Sequence, residues 1–249
     1  MTAPGGDHFS ESAAAYAAFR PHYPAALFAW LAARAPARAR AWDCATGSGQ
    51  AALGLAEHFR AVVATDASVA QLAQGAPHPR VSYAGCSAER SALRSRSVSL
   101  VTVAQALHWL DLEPFYAEVR RVLVPGGLVA AWCYGLLEVE GEAGAVVGRF
   151  ATEVVGPYWP AERALVDAGY AAVPFPFAEI AAPAFAMERR WTLAELAGYL
   201  GTWSAVRLYR RARGEDPVAA VVRDLAAGWG GAAVARHVRW PVWVRAGHA

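Results

Sequence analysis

The segment Ala41-Trp42-Asp43-Cys44-Ala45-Thr46-Gly47-Ser48-Gly49, with Asp66 seventeen residues beyond Gly49, constrains the fold of this chain more than any other stretch. A short apolar run ends at Asp43, and the glycines after it let the backbone turn beneath a ligand with no Cβ in the way. A helix is predicted over residues 50–59. The next apolar run, Ala61-Val62-Val63-Ala64-Thr65, ends at Asp66, where a carboxylate can accept both hydroxyls of a ribose. Strand, glycine turn, helix, strand and acid together make a nucleotide cradle. Gly47-Ser48-Gly49-Gln50-Ala51-Ala52 satisfies the dinucleotide pattern G-x-G-x-x-G/A, but a lone match leaves the bound ligand open.

The same rhythm continues along the chain. Strands are predicted over residues 39–43, 61–66, 80–84, 97–103 and 128–134; the fourth is almost continuously apolar, as in a strand buried on both faces. Ser68 and Gln71 form a capping box before a helix over 69–74. Asp111 is placed to cap a helix with the apolar stripe Phe115, Val119, Val122 and Leu123, after which Pro125-Gly126-Gly127 predicts a turn. Before the cradle, a helix over 10–19 stops at Arg20-Pro21, and Leu27, Phe28, Leu31 and Ala35 mark a second one after Pro24. Five strands alternating with helices imply an α/β fold with a parallel, doubly wound sheet whose ligands sit at the strands' carboxyl ends.

After Tyr134 the rhythm breaks. Residues 136–235 are too long for one crossover, and Thr192 with Glu195 is a capping box for a helix carrying Leu193, Leu196, Tyr199 and Leu200, bracketed by Trp191 and Trp203. The chain finishes on a strand in which Val238, Trp240, Val242 and Val244 alternate with polar and aromatic residues, and Pro241 predicts a bulge or irregular pairing.

With 249 residues and 56% hydrophobic composition the chain can bury a sizeable core. A net charge of +2 lacks the bias that nucleic acid or an anionic membrane selects, and Arg210-Arg211-x-Arg213 reads as a solvated helix end. Cys44, Cys86 and Cys133 are odd in number and far apart, which fits reduced thiols. There is no CxxC or HExxH, and the histidines show no ligand spacing, so no metal is expected. The first six residues carry no leader pattern, and no apolar run approaches the roughly 20 residues of a membrane-spanning helix. The expectation is a cytoplasmic protein, monomer or homodimer, that engages neither nucleic acid nor membrane.

An acid just before the glycines, helices ahead of the cradle and Pro125-Gly126-Gly127 before the fifth strand together resemble the class I S-adenosylmethionine-dependent methyltransferases. The likeness narrows further. Tyr16-x-x-x-Arg20-Pro21-x-Tyr23-Pro24, Ala106-Leu107-His108-Trp109, Gly156-Pro157-Tyr158-Trp159-Pro160, Trp191-Thr192-Leu193 and Tyr199-Leu200-x-Thr202-Trp203-Ser204 are similar to the type 11 methyltransferases near trans-aconitate methyltransferase.

That resemblance implies a Rossmann-like, seven-stranded, mostly parallel sheet with an antiparallel last strand and a helical insertion. It implies an N-terminal helical lid over 1–36, a core over 37–135 that binds S-adenosyl-L-methionine, an insertion over 136–235 with later core elements, and a C-terminal strand over 236–249. Asp43, Thr46, Gly47 and Gly49 would hold the amino acid end of the cofactor, and Asp66 the ribose. Ala67 and Gln71 would lie beside the adenosine, Ala88 and Glu89 around the adenine, and Gln105 and Ala106 by the methionine part. Tyr16 and Arg20, four apart on one helix, would close over it.

His108 is the candidate catalytic base or orienter. Trp109, Tyr134, Tyr158, Trp159, Trp203 and Arg207 are expected around a small-molecule methyl acceptor, a carboxylate among the candidates. One position departs from the pattern: Ala45 stands where the subgroup has glycine, and a methyl group there costs affinity if the backbone needs a positive φ. An NAD-dependent oxidoreductase, or a protein that binds S-adenosylmethionine without catalysis, stays open beside the methyltransferase reading.

Overall fold

A computed structural model describes residues 21–249. The first described elements are α1 (Ala25–Arg34), β1 (Arg40–Cys44), α2 (Gln50–Ala56), β2 (Ala61–Asp66), α3 (Val69–Leu72), β3 (Val81–Gly85), β4 (Val98–Ala104), α4 (Leu112–Val122) and β5 (Leu123–Tyr134). β6 (Glu138–Val139), α5 (Glu142–Arg149), α6 (Arg163–Asp167), β7 (Ala178–Ile180), β8 (Phe185–Trp191), α7 (Leu193–Gly201), α8 (Ser204–Arg213), α9 (Pro217–Trp229) and β9 (Arg236–His248) complete the chain. Contacts divide it into a core unit of His22–Gly135, Ala164–Ala186 and Pro241–Ala249, and a helical unit built mainly from Leu136–Arg163 and Met187–Trp240.

In the core unit β3, β2, β1, β4 and β5 pair in that order, all parallel. Residues 242–248 of β9 then run antiparallel to β5, and β7 pairs antiparallel with β9. This is the expected mostly parallel α/β sheet with an antiparallel strand at the end of the chain, but β7 is a second antiparallel strand in this unit where one was expected. Alternation along the strands sends side chains to two faces. Trp42, Cys44, Val101, Val103, Val129 and Ala131 share one buried cluster with Phe115, Val119 and Val122 of α4 and with Tyr170, Val173 and Phe175. α1 and α2 pack together through Phe28, whose ring leaves no room for a Cβ on Gly54: such an atom would lie 2.2 Å from it. Phe28 also meets Trp132 edge-on, with ring centroids 6.3 Å apart.

Three local expectations are corrected. Pro125-Gly126-Gly127 does not precede β5 but bulges within it, because Val98 pairs with Leu123 while Leu100 already pairs with Leu128. Asp111 stands at the N-cap of α4, yet its side chain makes no capping bond there. Helix α3 is a single turn capped by Ser68, shorter than the capping box suggested. The helix expected over 10–19 lies outside the described residues.

The helical unit holds β6, β8 and the first residues of β9, with Val238 and Arg239 paired to β6. Pro241 falls between these and the residues of β9 paired to β5, where its missing N–H breaks no rung. The capping box of Thr192 and Glu195 closes α7 in both directions. Trp191, Tyr199 and Trp240 pack ring against ring, and the Trp240 indole donates to the Tyr199 hydroxyl at 2.9 Å. Arg210 pairs with Asp216 at 2.8 Å beyond the end of α8, as a solvated helix end does. No described helix is long and apolar enough to cross a membrane.

Candidate functional site

The strand order turns back between β1 and β4: the chain builds outward through β2 and β3 on one side and through β5 on the other. At such a switch point the loops after β1 and β4 diverge and leave a crevice at the carboxyl ends. The Asp43 loop and the Gln105–Trp109 segment are those two loops.

Asp43 pairs in register with Thr102 of β4 and is wholly buried. Thr102 donates to one carboxylate oxygen at 2.7 Å, Thr46 donates to the other, and the Ala52 amide adds a third bond. Asp43 therefore braces the loop from beneath, joining it to β4 through Thr102. Burial pushes its carboxyl up to about 6 against the lowering effect of those hydrogen bonds.

An acid with a raised folded pKa keeps its proton in the folded state between about pH 4 and 6 and releases it on unfolding. Stability thus falls as pH rises through that window, by about 3 kcal/mol for a shift of this size. Asp43→Asn should flatten this part of the curve of urea-unfolding free energy between pH 4 and 8, relative to the parent.

The loop above is built from left-handed backbone. Ala45 has φ +52°, Gly47 +59° and Gly49 +86°. At Ala45 an alanine therefore holds a conformation that costs an L-residue about 1–2 kcal/mol. A Cβ on Gly49 would lie 2.3 Å from the Tyr83 hydroxyl, so glycine is required there for both backbone and space. A Cβ on Gly47 would meet nothing closer than Gln71 Oε1 at 4.0 Å, which leaves open room over the turn. The Asp66 carboxylate accepts from the Gly47 amide through one oxygen and from the Ser68 amide through the other, each at 2.8 Å. Both oxygens keep a lone pair, and the group is only partly buried.

Farther out, Ala67 is exposed next to Asp66, and Gln71 donates its amide to the Ser68 side chain. Ala88 is buried in the core cluster, and Glu89 accepts from the Asp111 amide at 3.4 Å.

At the end of β4, Gln105 has φ +56°. Its side chain folds back along β5, accepting from the Tyr134 amide at 2.8 Å and donating to the Tyr134 carbonyl at 3.5 Å. Its backbone amide donates to the Trp132 carbonyl at 2.8 Å. Ala106 then leads into the short 3-10 turn Leu107–Trp109. The His108 ring lies 4.7 Å from that of Trp109, which is 49% exposed, and its Nδ1 is 2.8 Å from the hydroxyl of Tyr170. Tyr134 is buried at the tip of β5 against Tyr23, with centroids 6.3 Å apart.

The other described residues expected at the site lie in the helical unit. Tyr158, Trp159 and Trp203 belong to the helical unit and pack there: Trp203 stacks on Phe150 and meets Trp159, whose indole donates to the Ala151 carbonyl. The Tyr158 hydroxyl accepts from Arg213. Arg207 is partly buried in α8 of the same unit. Tyr16 and Arg20 lie outside the described residues.

Thr102, Tyr83 and Tyr170, which contact Asp43, Gly49 and His108 respectively, are neighbours of the candidate site that sequence reasoning missed. For Thr102 a signal existed, one of two hydroxyls, with Ser99, within a core strand of otherwise apolar residues; for Tyr83 and Tyr170 there was none. Cys44 and Cys133 are buried thiols, Cys86 is partly exposed, and no cluster of metal-ligating side chains occurs among the described residues.

The crevice suits an adenosyl group: open space over Gly47 adjoins a carboxylate already fixed by two amides, with a lone pair left on each oxygen for a diol. A family model described as "Methyltransferase domain", type 11, matches residues 42–131. A Dictyostelium discoideum protein assigned as a methyltransferase is 31% identical over 214 residues, covering 84% of this chain and 81% of its own. An uncharacterized methyltransferase of Mycobacterium tuberculosis is 38% identical over 122 residues, 48% of this chain and 49% of its own. A solved structure from Anaeromyxobacter dehalogenans, assigned as a type II methyltransferase, superposes with a TM-score of 0.88 at 49% identity, covering 92% of this chain and 98% of its own. These likenesses decide between the two ligand classes that the glycine pattern left open: the chain belongs to the S-adenosylmethionine-dependent methyltransferases.

Proposed function

We propose that this methyltransferase acts on a small molecule, at a carboxylate oxygen, as a relative of the subgroup near trans-aconitate methyltransferase. The observation that carries the cofactor half is the Asp66 carboxylate, held by the Gly47 and Ser68 amides beside an open turn. Asp66 takes the ribose hydroxyls, and the backbone around Gly47 and Gly49 lies along the amino acid end. Ala67 and Gln71 flank the adenosine, Ala88 packs on the adenine and Glu89 accepts from its amine. The backbone of Gln105 and Ala106 borders the methionine part.

When bound, the cofactor supplies a methyl group on a positively charged sulfur, ready for in-line displacement. The chain's own task is alignment and exclusion of water. A carboxylate is already ionised near neutral pH, so it needs no base to attack. His108 and the exposed Trp109 stand together after β4 and are assigned to the acceptor side. The balanced charge of the chain supports a small acceptor over nucleic acid.

The test is a panel of small mono-, di- and tricarboxylic acids, including trans-aconitate, alongside phenols and amines, scored by release of S-adenosylhomocysteine. Turnover confined to the acids and base-labile methyl ester products are expected. Turnover of phenols or amines alone would overturn the carboxylate assignment.

A further inference from the structure

Asp43 is one buried acid of this fold, and Glu118 of α4 is another. It stands on the face of α4 that carries Phe115 and Val122 into the core, three residues after one and four before the other. A buried carboxylate costs stability unless its oxygens are bonded, and here they are. Oε1 accepts from the Ser91 amide at 2.7 Å, from the Ser91 hydroxyl at 2.6 Å and from Arg121 Nη2 at 2.6 Å, while Oε2 accepts from Arg121 Nε at 2.7 Å. Arg121 reaches on to the Ser95 hydroxyl at 3.3 Å, and the Arg121 and Val122 carbonyls accept from the Arg96 and Ser97 amides. The last turns of α4 thus fasten residues 91–97.

That segment is the exit of a tight turn. Ser87 and Arg90 bridge antiparallel, which leaves Ala88 and Glu89 at the tip, and Ser91 is the next residue. At the entry the Cys86 amide donates to the Asp66 carbonyl at 3.1 Å. Between the two ends Ala88 gives the core only a methyl group, and Glu89 accepts from the Asp111 amide at 3.4 Å, long for such a bond. The aim of the tip is therefore governed by its ends, Asp66 at one and Glu118 at the other.

We propose that Glu118 is a positioning residue for cofactor recognition: its hold on Ser91 sets the aim of the tip formed by Ala88 and Glu89, and with it the preference for adenine over a base that lacks the exocyclic amine. This rests on the assignment of Ala88 and Glu89 to the adenine. An amine there donates to the Glu89 carboxylate, whereas an oxo group in its place sets oxygen against oxygen, so base selectivity reports how firmly Glu89 is aimed. Glu118→Gln cannot preserve the clamp. Its amide has one accepting oxygen, and its NH2 group must face either the Ser91 amide or Arg121 Nε, both of them donors.

The experiment is calorimetry on the unliganded protein with S-adenosylhomocysteine and with S-inosylhomocysteine, which carries an oxo group where adenine has its amine. The parent should bind the adenine compound about tenfold tighter or more, as one charge-assisted hydrogen bond is worth. Glu118→Gln, checked for folding by near-ultraviolet circular dichroism, should cut that ratio to about twofold or less, and hydrogen exchange of its Ser91 amide should quicken about tenfold. Ser91→Ala removes one bond and leaves the ion pair of Glu118 and Arg121 in place. It should lower the ratio about threefold, and it carries the test if Glu118→Gln does not fold.

The parent's ratio kept in Glu118→Gln, or in Ser91→Ala where the first does not fold, overturns the positioning role even if the thermal midpoint falls, because a purely structural carboxylate would lower stability alone. Unchanged exchange of the Ser91 amide in Glu118→Gln overturns it as well. Glu89→Ala tests the assignment underneath and should lose the ratio. A ratio kept there, or absent from the parent, overturns the placement of adenine at this turn and the proposal with it; a ratio lost there and kept in the clamp variants overturns the positioning role alone.

Discussion

Asp66→Ala should weaken S-adenosylhomocysteine binding by about 100-fold or more, measured by calorimetry. Two charge-assisted hydrogen bonds to a ribose diol are worth about 1.5–3 kcal/mol each, and each 1.4 kcal/mol is tenfold in affinity. The same change also releases the Gly47 and Ser68 amides that the carboxylate now holds. Thermal unfolding of the unliganded variant separates the two contributions, because loop release lowers its midpoint while loss of the diol acceptor does not. Retained affinity would remove Asp66 from the site.

Gly49→Val should be the most damaging single change in the loop. A β-branched residue at φ +86° is strongly strained, and its Cβ would begin 2.3 Å from the Tyr83 hydroxyl. Strain of this kind and overpacking each cost about 1–3 kcal/mol, which suggests about 3 kcal/mol in all. For a chain of this size that lowers the thermal midpoint by about 6–12 °C. Tyr83→Ala in the same background should restore part of the loss by emptying the space, while the backbone share persists. If the double variant melts no higher than Gly49→Val alone, the contact with Tyr83 is not what glycine avoids.

Much of the core was legible because its signals are local. Apolar runs between turn residues mark β1 to β4 and the end of β5 within a residue or two, and an acid at the end of an apolar run marks the ends of β1 and β2. Features made by residues distant in sequence were not legible. Nothing about Asp43 in the sequence shows that Thr102, fifty-nine positions away, pairs in register beside it and holds its carboxylate. β7 is three residues long with Ala178 and Glu179 exposed, and it carries no apolar pattern; its pairing to β9 alone makes it a strand. The stretch 164–186, within the span read as an insertion with later core elements, packs with the core unit and brings Tyr170 with it, and no local signal marks where in that span the core elements fall. The aromatic excess of the insertion reads mostly as core, and Phe150, Trp159 and Trp203 do pack against one another within the helical unit.

Gln105 adds one rung to the sheet. Its amide side chain meets both the N–H and the carbonyl of Tyr134, as a neighbouring peptide group would, at the point where its own backbone turns away from β5. The turn bearing His108 and Trp109 thus begins from a residue fastened to the sheet at its root. Motion of that turn is confined to what lies beyond Gln105, and the Tyr134 amide should exchange with solvent as slowly as the amides in the middle of β5.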